Sequence, residues 1–351
     1  MYPCLKININ GINENIKEVK KLCDSNSIKL NVVVKVLSGH EEVVNKLNLD
    51  NIDAISDARI ANLKKYQNID VEKWLIRLPS FDEIEDVIRY SDVSLNSSLE
   101  TICLLNEEAK KQNKIHKVIL MYELGDLREG VTSSKLLDIV KQVKNLSNIK
   151  LYGIGANLTC YGGIEPTVNN TDELYNVVKD IEEKCGINFE VITGANSTSY
   201  KLLSNGILKN KMNYVRFGES IFLGLIPGYY EKINNLHQDN FIVEAEIVEL
   251  EEKDSVPRGN ILKNAFGEVP HFEDKGLRLK ALINIGKQDT SLNLKPLDKD
   301  VTILDGSSDY LVLDLTDSKT KYKVGDIVRF IPDYEALLKL MTSTYVKKEV
   351  I

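Results

Sequence analysis

Through its first 216 residues the chain alternates short apolar, β-branched runs with helical stretches, and that alternation leaves few folds open. Eight runs read as strands: Leu30–Val36, Ile52–Ser56, Lys73–Leu78, Asp92–Leu95, Lys117–Tyr122, Lys150–Ala156, Asn188–Ile192 and Asn213–Arg216. Between them Glu41–Leu47, Phe81–Arg89, Ser98–Gln112, Ser134–Lys144 and Asp172–Lys184 read as helices. Leu99, Ile102, Cys103 and Leu105 sketch an apolar face at helical spacing. Strand, helix and strand in succession imply parallel strands joined by right-handed crossovers. Eight such units predict an α/β fold, a closed (β/α)8 TIM-type barrel, with its chemistry at the C-terminal ends of the strands. An open, doubly wound sheet competes, but no G-x-G-x-x-G follows the first strand.

The pattern changes after about Tyr230. Phe241–Leu250 alternates apolar and acidic residues, as a half-exposed antiparallel strand does. Leu279–Ile285, Val301–Leu304, Leu311–Leu315 and Ile327–Ile331 add short strands separated by turn residues. A barrel domain over residues 11–228 and a C-terminal β-domain over residues 229–351 are therefore expected. Residues 1–10 alternate as well and are expected to supply a strand to that β-domain.

A net charge of −7, with acidic and basic residues interleaved, argues against a nucleic-acid or anionic-membrane surface. No apolar run approaches the roughly 18–20 residues of a membrane span. Met1–Lys6 carries no apolar core of a signal peptide. Five cysteines, with no C-x-x-C among them, read as free thiols in a reducing cytoplasm. Four scattered histidines offer no metal-ligand spacing, so no metal is expected.

Lys35 closes the first apolar run, Leu30-Asn31-Val32-Val33-Val34-Lys35-Val36. A lysine at the end of a buried strand is costly unless paired or functional. Desolvation disfavours the ammonium, and a neutral amine can attack a carbonyl. The alternative is a lysine that snorkels to water. Two later stretches suit a phosphate. Thr193-Gly194-Ala195-Asn196-Ser197-Thr198-Ser199 sets glycine and hydroxyls before a helix, as a phosphate site or a plain N-cap does. Val215-Arg216-Phe217-Gly218-Glu219 adds a glycine that admits close backbone approach and a guanidinium that can reach a heterocycle. Loops after the seventh and eighth strands are the common phosphate site of such barrels.

Lys35, Asn196-Ser197 and Arg216-x-Gly218 together resemble the fold-type III pyridoxal-phosphate enzymes of the alanine racemase group, closest to the ornithine racemase-like subfamily. The resemblance covers nearly the whole chain. It extends to Leu75-Ile76-Arg77-Leu78-Pro79, Glu123-Leu124-Gly125-Asp126-Leu127-Arg128-Glu129-Gly130, Gly153–Gly163, Gly286-Lys287-Gln288-Asp289, Gly306-Ser307-Ser308-Asp309 and Met341–Val346. It implies an alanine racemase-like barrel and β-domain, a pyridoxal 5'-phosphate cofactor and a head-to-tail homodimer. Lys35 would carry the cofactor as a Schiff base and serve as one acid/base. Ser197, the Gly218 backbone and Tyr345 would contact the phosphate, with Asn196 and Glu219 beside them. Arg216 would face the pyridine nitrogen, Arg128 the ring oxygen, and Asn157 the ring. Asp309 and Ser308, with Arg128, would meet the substrate carboxylate.

The chain departs from this pattern in several places. Asn264 stands where alanine racemases carry the tyrosine that is their second base, and an amide cannot act as a base. Lys263 beside it is a basic alternative if desolvated. Met121 replaces the carbamylated lysine, and the phosphate-contact tyrosine after Lys35 is missing, leaving Ser38 and His40. The implied activity is a cytoplasmic racemase of ornithine or a related basic amino acid. Asp126, Glu129 or Asp289 would meet the distal ammonium. The alternatives are a decarboxylase or D-amino-acid lyase on the same fold, or a non-catalytic cofactor carrier.

Overall fold

A computed structural model describes residues 1–351. The chain forms two compact units: Ile9–Gln238, and Met1–Asn8 together with Asp239–Ile351. In chain order the strands begin with β1 (Cys4–Ile7), followed by β2 (Lys29–Val33), β3 (Ala54–Asp57), β4 (Glu72–Leu75) and β5 (Val93–Asn96). Then come β6 (His116–Met121), β7 (Ile149–Gly155), β8 (Val191–Thr193), β9 (Ala195–Asn196) and β10 (Tyr214–Phe217). The helices of this unit are α1 (Ile9–Ser25), α2 (Glu41–Asn45), α3 (Ile60–Leu63), α4 (Ile84–Tyr90), α5 (Leu99–Lys111), α6 (Ser133–Val143), α7 (Val168–Cys185), α8 (Tyr200–Ser204) and α9 (Glu219–Leu223).

In the first unit every strand pair from β2 to β10 is parallel, in the order β8-β7-β6-β5-β4-β3-β2-β10-β9. β8 and β9 are one strand interrupted at Gly194. Its first half pairs with β7 and its second half with β10, which brings the ring round on itself. The eight-unit barrel expected from the alternation is the fold observed. A Cβ at Gly194, at the break, would lie 2.5 Å from Leu174 Cδ2 on α7 and 3.0 Å from Met212 Cε, so those side-chain ends would have to shift. The barrel interior is filled by Ala54, Trp74, Val93, Leu95, Ile119, Met121, Tyr152, Val191 and Tyr214. Met121 is fully buried among them as an apolar side chain.

Several boundaries differ from the sequence expectation. The first strand stops at Val33, and Lys35 opens a 3-10 turn, Lys35–Leu37, closed by Ser38 and Gly39 at positive φ. Lys35 therefore stands on the turn beyond the strand rather than in it. The seventh strand begins at Val191, although the Glu190 amide already donates to Tyr152 O on β7 at 3.0 Å. Helix α7 starts earlier than Asp172, at Val168, where Thr167 and Asn170 form a reciprocal capping box. Helix α1 lies outside the stretches read as helical, although Ile12, Ile16, Val19 and Cys23 bury along one face.

The hairpin of β11 (Leu225–Ile226) and β12 (Glu231–Lys232) belongs to the first unit, so that unit continues past the Pro227–Tyr230 turn to Gln238. The second unit holds β13 (Phe241–Asp254), β14 (Leu277–Ile283), β15 (Leu294–Pro296), β16 (Thr302–Gly306), β17 (Leu311–Asp314), β18 (Ile327–Pro332), helix α10 (Tyr334–Thr342) and β19 (Lys347–Val350). Its sheet runs β15-β18-β13-β14-β17-β16. β1 lies antiparallel to β13 and parallel to β19, so the chain's first strand is part of this sheet. No helix is long and apolar enough to cross a membrane, and all five cysteines are free thiols.

Candidate active site

The C-terminal ends of the barrel strands bring Lys35, Asp57, Asn157, Asn196, Ser197, Arg216 and Gly218 to one end of the first unit. Lys35 is half-buried just beyond β2. On one side of β2 lies β10, paired in register so that Arg216 faces Asn31 and Phe217 faces Val32. On the other side lies β3, which ends at Asp57.

Arg216 is buried. Its Nη1 donates to Thr193 O at 3.0 Å and Thr193 Oγ1 at 2.7 Å, and its Nη2 donates to Ala156 O at 2.8 Å. A guanidinium has five N–H groups, so two directions remain for a ligand. Burial pulls its pKa down to about 10, and it stays charged at neutral pH.

Ser197 Oγ collects donors. The amides of Gly218 (3.1 Å) and Ser220 (3.2 Å) and the Ser220 hydroxyl (3.1 Å) all point at this one oxygen. Converging neutral donors of this kind suit a phosphate oxygen. Gly218 allows the approach: a Cβ there would lie 2.8 Å from Val33 O. Asn196 has a different task. Its Oδ1 caps Thr198 N at 3.0 Å and its Nδ2 holds Leu158 O at 2.8 Å. The two readings of that stretch, cap and phosphate site, thus divide between adjacent residues.

Asn157 follows β7, and its Nδ2 is buried without a partner, an amide donor open to a ring oxygen. Cys160, exposed, lies 3.6 Å from Asn157 Oδ1 and 3.9 Å from Asn196 Nδ2. Arg128 is clamped by Glu129 through both Nε and Nη2, the latter at 2.7 Å, and this pairing raises its pKa. The loops carrying Arg128 and Asn157 are stitched together by Asp126, which accepts from Tyr161 N (3.1 Å) and Gly162 N (3.0 Å). Asp289, in the second unit, is buried and accepts from Ser343 Oγ at 2.6 Å. All three carboxylates considered for a distal ammonium are therefore already engaged. Of the stand-ins for the missing tyrosine, Ser38 forms the turn after Lys35, and His40 has a buried, unpartnered Nδ1.

The second unit carries its own cluster. Lys287 N and Gln288 N donate to Ser307 O (2.9 Å) and Ser308 O (3.1 Å), and a Cβ at Gly286 would lie 2.1 Å from Ser308 O. Asp309 is exposed beside them and accepts from Ser308 Oγ at 2.7 Å. Asn264 builds a tight turn: its Oδ1 accepts from Phe266 N (2.9 Å) and Glu268 N (3.0 Å), and its Nδ2 donates to Glu268 Oε2 at 3.2 Å. Lys263 is exposed, so the desolvation a neutral lysine needs is absent from this chain alone. Tyr345 is 71% exposed, just past α10.

Two residues here were not singled out from sequence. Asp57 closes a barrel strand, the position at which chemistry is expected, and that is the signal that marks it. Glu268 follows the unusual Asn264 at turn spacing, which brings a carboxylate to an amide that cannot be a base.

The family model described as alanine racemase, N-terminal domain, matches residues 7–225. An ornithine racemase of Acetoanaerobium sticklandii is 41% identical and aligns over 100% of both chains. A lysine racemase of Thermotoga maritima is 35% identical over 99% of this chain and 98% of its own. Among solved structures, the alanine racemase from Bartonella henselae with covalently bound pyridoxal phosphate superposes with a TM-score of 0.72, at 17% identity, over 100% of both chains.

Proposed function

The chain belongs to the alanine racemase family, and on that premise we propose that it is a pyridoxal-phosphate-dependent amino-acid racemase acting on ornithine. The observation that carries the reading is the convergence of Lys35, Arg216 and the donor cluster on Ser197 at one barrel end. Identity to the ornithine racemase over the full chain supports ornithine before lysine or alanine.

Bound pyridoxal phosphate withdraws electrons from a substrate's α-carbon and makes its proton removable. Ser197 with the Gly218 and Ser220 amides would hold the phosphate. Arg216 would stand beside the ring nitrogen and, remaining charged, would have no proton to give it easily. The cofactor would then supply only modest electron withdrawal, which suits proton exchange. Asn157 and Arg128 would meet the ring oxygen. Asn196 and Glu219 would brace the phosphate loop from either side. Lys35 supplies the amine to which the cofactor is attached and the base for one face of the α-carbon.

The other face is served by the Lys263–Glu268 loop of a second copy, in a cytoplasmic homodimer. Lys263 and Glu268 are the groups there that can take a proton, and Asn264 orients Glu268. Ser308 and Asp309 border the substrate carboxylate.

The test is to follow optical rotation of L-ornithine, L-lysine and L-alanine separately with the purified, cofactor-loaded protein. Decay of ornithine rotation to zero at constant substrate mass is the expected result. Loss of mass would make the enzyme a decarboxylase or lyase. Unchanged rotation for all three, with cofactor bound, would make it a carrier. Glu268→Gln and Lys263→Ala, assayed for solvent deuterium uptake at the α-carbon, separate the two second-face candidates.

A further inference from the structure

We propose that Asp57 is the positioning residue for Lys35: a fixed, buried anion that stabilises Lys35 in its protonated form during proton transfer. The role rests on Lys35 being the cofactor-bearing lysine of the racemase proposed above.

Geometry places the two groups together. β2 and β3 pair in register through Val33 and Ser56, and Val34 N continues the ladder to Ser56 O at 2.8 Å. Asp57 and Lys35 thus leave adjacent parallel strands at the same end. Asp57 is fully buried. Its oxygens accept from Arg59 N at 2.9 Å and from Asn62 Nδ2 at 3.1 and 3.2 Å, both neutral donors. The charged group acting on it is Lys35. Other ionisable groups lie nearby: Lys65, beside Asn62, donates to Gly39 O at 3.3 Å. Tyr66, on the turn after α3, has a buried hydroxyl with no partner. The Arg59 side chain is exposed. Arg77, beyond β4, is paired with Glu83 at 2.5 Å.

A carboxylate is not needed to cap the turn into α3, because an asparagine oxygen accepts the same backbone bond. Burying the charge carries a desolvation penalty that a cap alone does not require. That penalty pushes the Asp57 pKa up to about 6, and attraction to Lys35 works against it. At neutral pH the group is therefore an anion held where the chain's key amine needs one.

The chemistry balances. When Lys35 takes the α-proton, the C–H bond breaks, its electron pair stays with the substrate, and the proton forms a new N–H bond on Lys35. Asp57 remains ionised throughout and accepts no proton. It favours the ammonium that forms and later returns the proton.

The experiment uses full-length protein freed of cofactor. Pyridoxal phosphate capture is followed by the visible absorption band across pH, for the wild type, Asp57→Asn and Lys35→Ala. Removing the anion removes a favourable charge from beside the ammonium, so capture in Asp57→Asn is expected to reach its midpoint at a lower pH than in the wild type. An unchanged midpoint in a folded Asp57→Asn protein overturns the proposal and leaves Asp57 as a cap. Should that variant not fold, Asp57→Ser keeps a hydroxyl acceptor for the Arg59 amide but carries no charge. It is expected to shift the midpoint the same way, and no shift there also overturns the proposal. Wild-type protein that captures no cofactor, or Lys35→Ala that captures it with the same band, would sink the racemase reading instead.

Discussion

Buried charge is where individual residues speak most clearly in this chain. Lys35 and Arg216 were legible because each interrupts an apolar strand run, where a charge without purpose is expensive. Asp57 was not, because a single acid after a short run reads as a solvated turn residue until the neighbouring strand is placed beside it. Ser197 and Asn196 were legible as a pair but not as two roles, since hydrogen-bond direction is not written in the sequence. Replacing Arg216 with Met leaves the oxygens of Thr193 and Ala156 without their donors. The expected loss is about 1–3 kcal/mol of stability in the cofactor-free protein, read by denaturant unfolding. Two buried groups should shape the pH dependence with opposite signs. His116, 2.8 Å from Ser94 Oγ, has its pKa pushed down to about 3 by burial. The unfolded imidazole takes its proton first, near 6.5, so this contribution to stability is present above that pH and lost as pH falls toward 3. Asp57, held at about 6, contributes most below its unfolded value near 4 and loses that contribution as pH rises through 6. Asp57→Asn is therefore expected to be at least as stable as the wild type at pH 7, despite altered cofactor capture. His116→Gln should flatten the decline in unfolding free energy between pH 6.5 and 4 by about 1 kcal/mol or more. Equal slopes in variant and wild type would contradict the assignment for His116.

Among the elements, the alternation of strands and helices was readable almost throughout, and their ends were not. Strand limits at Val33 and Val191 depend on which amide finds a partner across the barrel, a matter of three-dimensional register. The break at Gly194 belongs to the same class. Gly218 couples an element end to the site, since its lack of a side chain lets β10 close against Val33. Gly218→Ala should push the end of β2 outward and move Lys35 with it. Cofactor affinity is expected to fall by about tenfold, in line with the cost of small displacements at a reacting centre. Equilibrium binding by fluorescence would measure it, and unchanged affinity would show that the strand end yields freely. Thr167→Ala, which removes half of the capping box on α7, should cost about 1 kcal/mol of stability with no change in that affinity.

For the molecule as a whole, the sequence disclosed a barrel and a β-domain but not how the chain's beginning completes the latter. The alternation in the first residues pointed to a strand, while its two neighbours, β13 and β19, lie more than 200 positions away. The second-face loop was equally obscure, because Lys263 is exposed and Asn264 half-buried, and they acquire meaning only beside another copy. Deleting Met1–Asn8 should leave the edges of β13 and β19 unpaired. The second unit is then expected to become protease-sensitive, while fluorescence of Trp74, the sole tryptophan and buried in the barrel, stays native. Equal protease resistance in both proteins would argue against a supporting role for that strand. β1 also imposes an order on synthesis. It is made before the barrel, whereas β13 follows the barrel and β19 follows the rest of the sheet. The barrel can fold while translation continues, but the sheet around β1 cannot close until β19 has been made. The cell must therefore keep a short, apolar β-segment from finding other partners while the barrel and most of the sheet are still being synthesised.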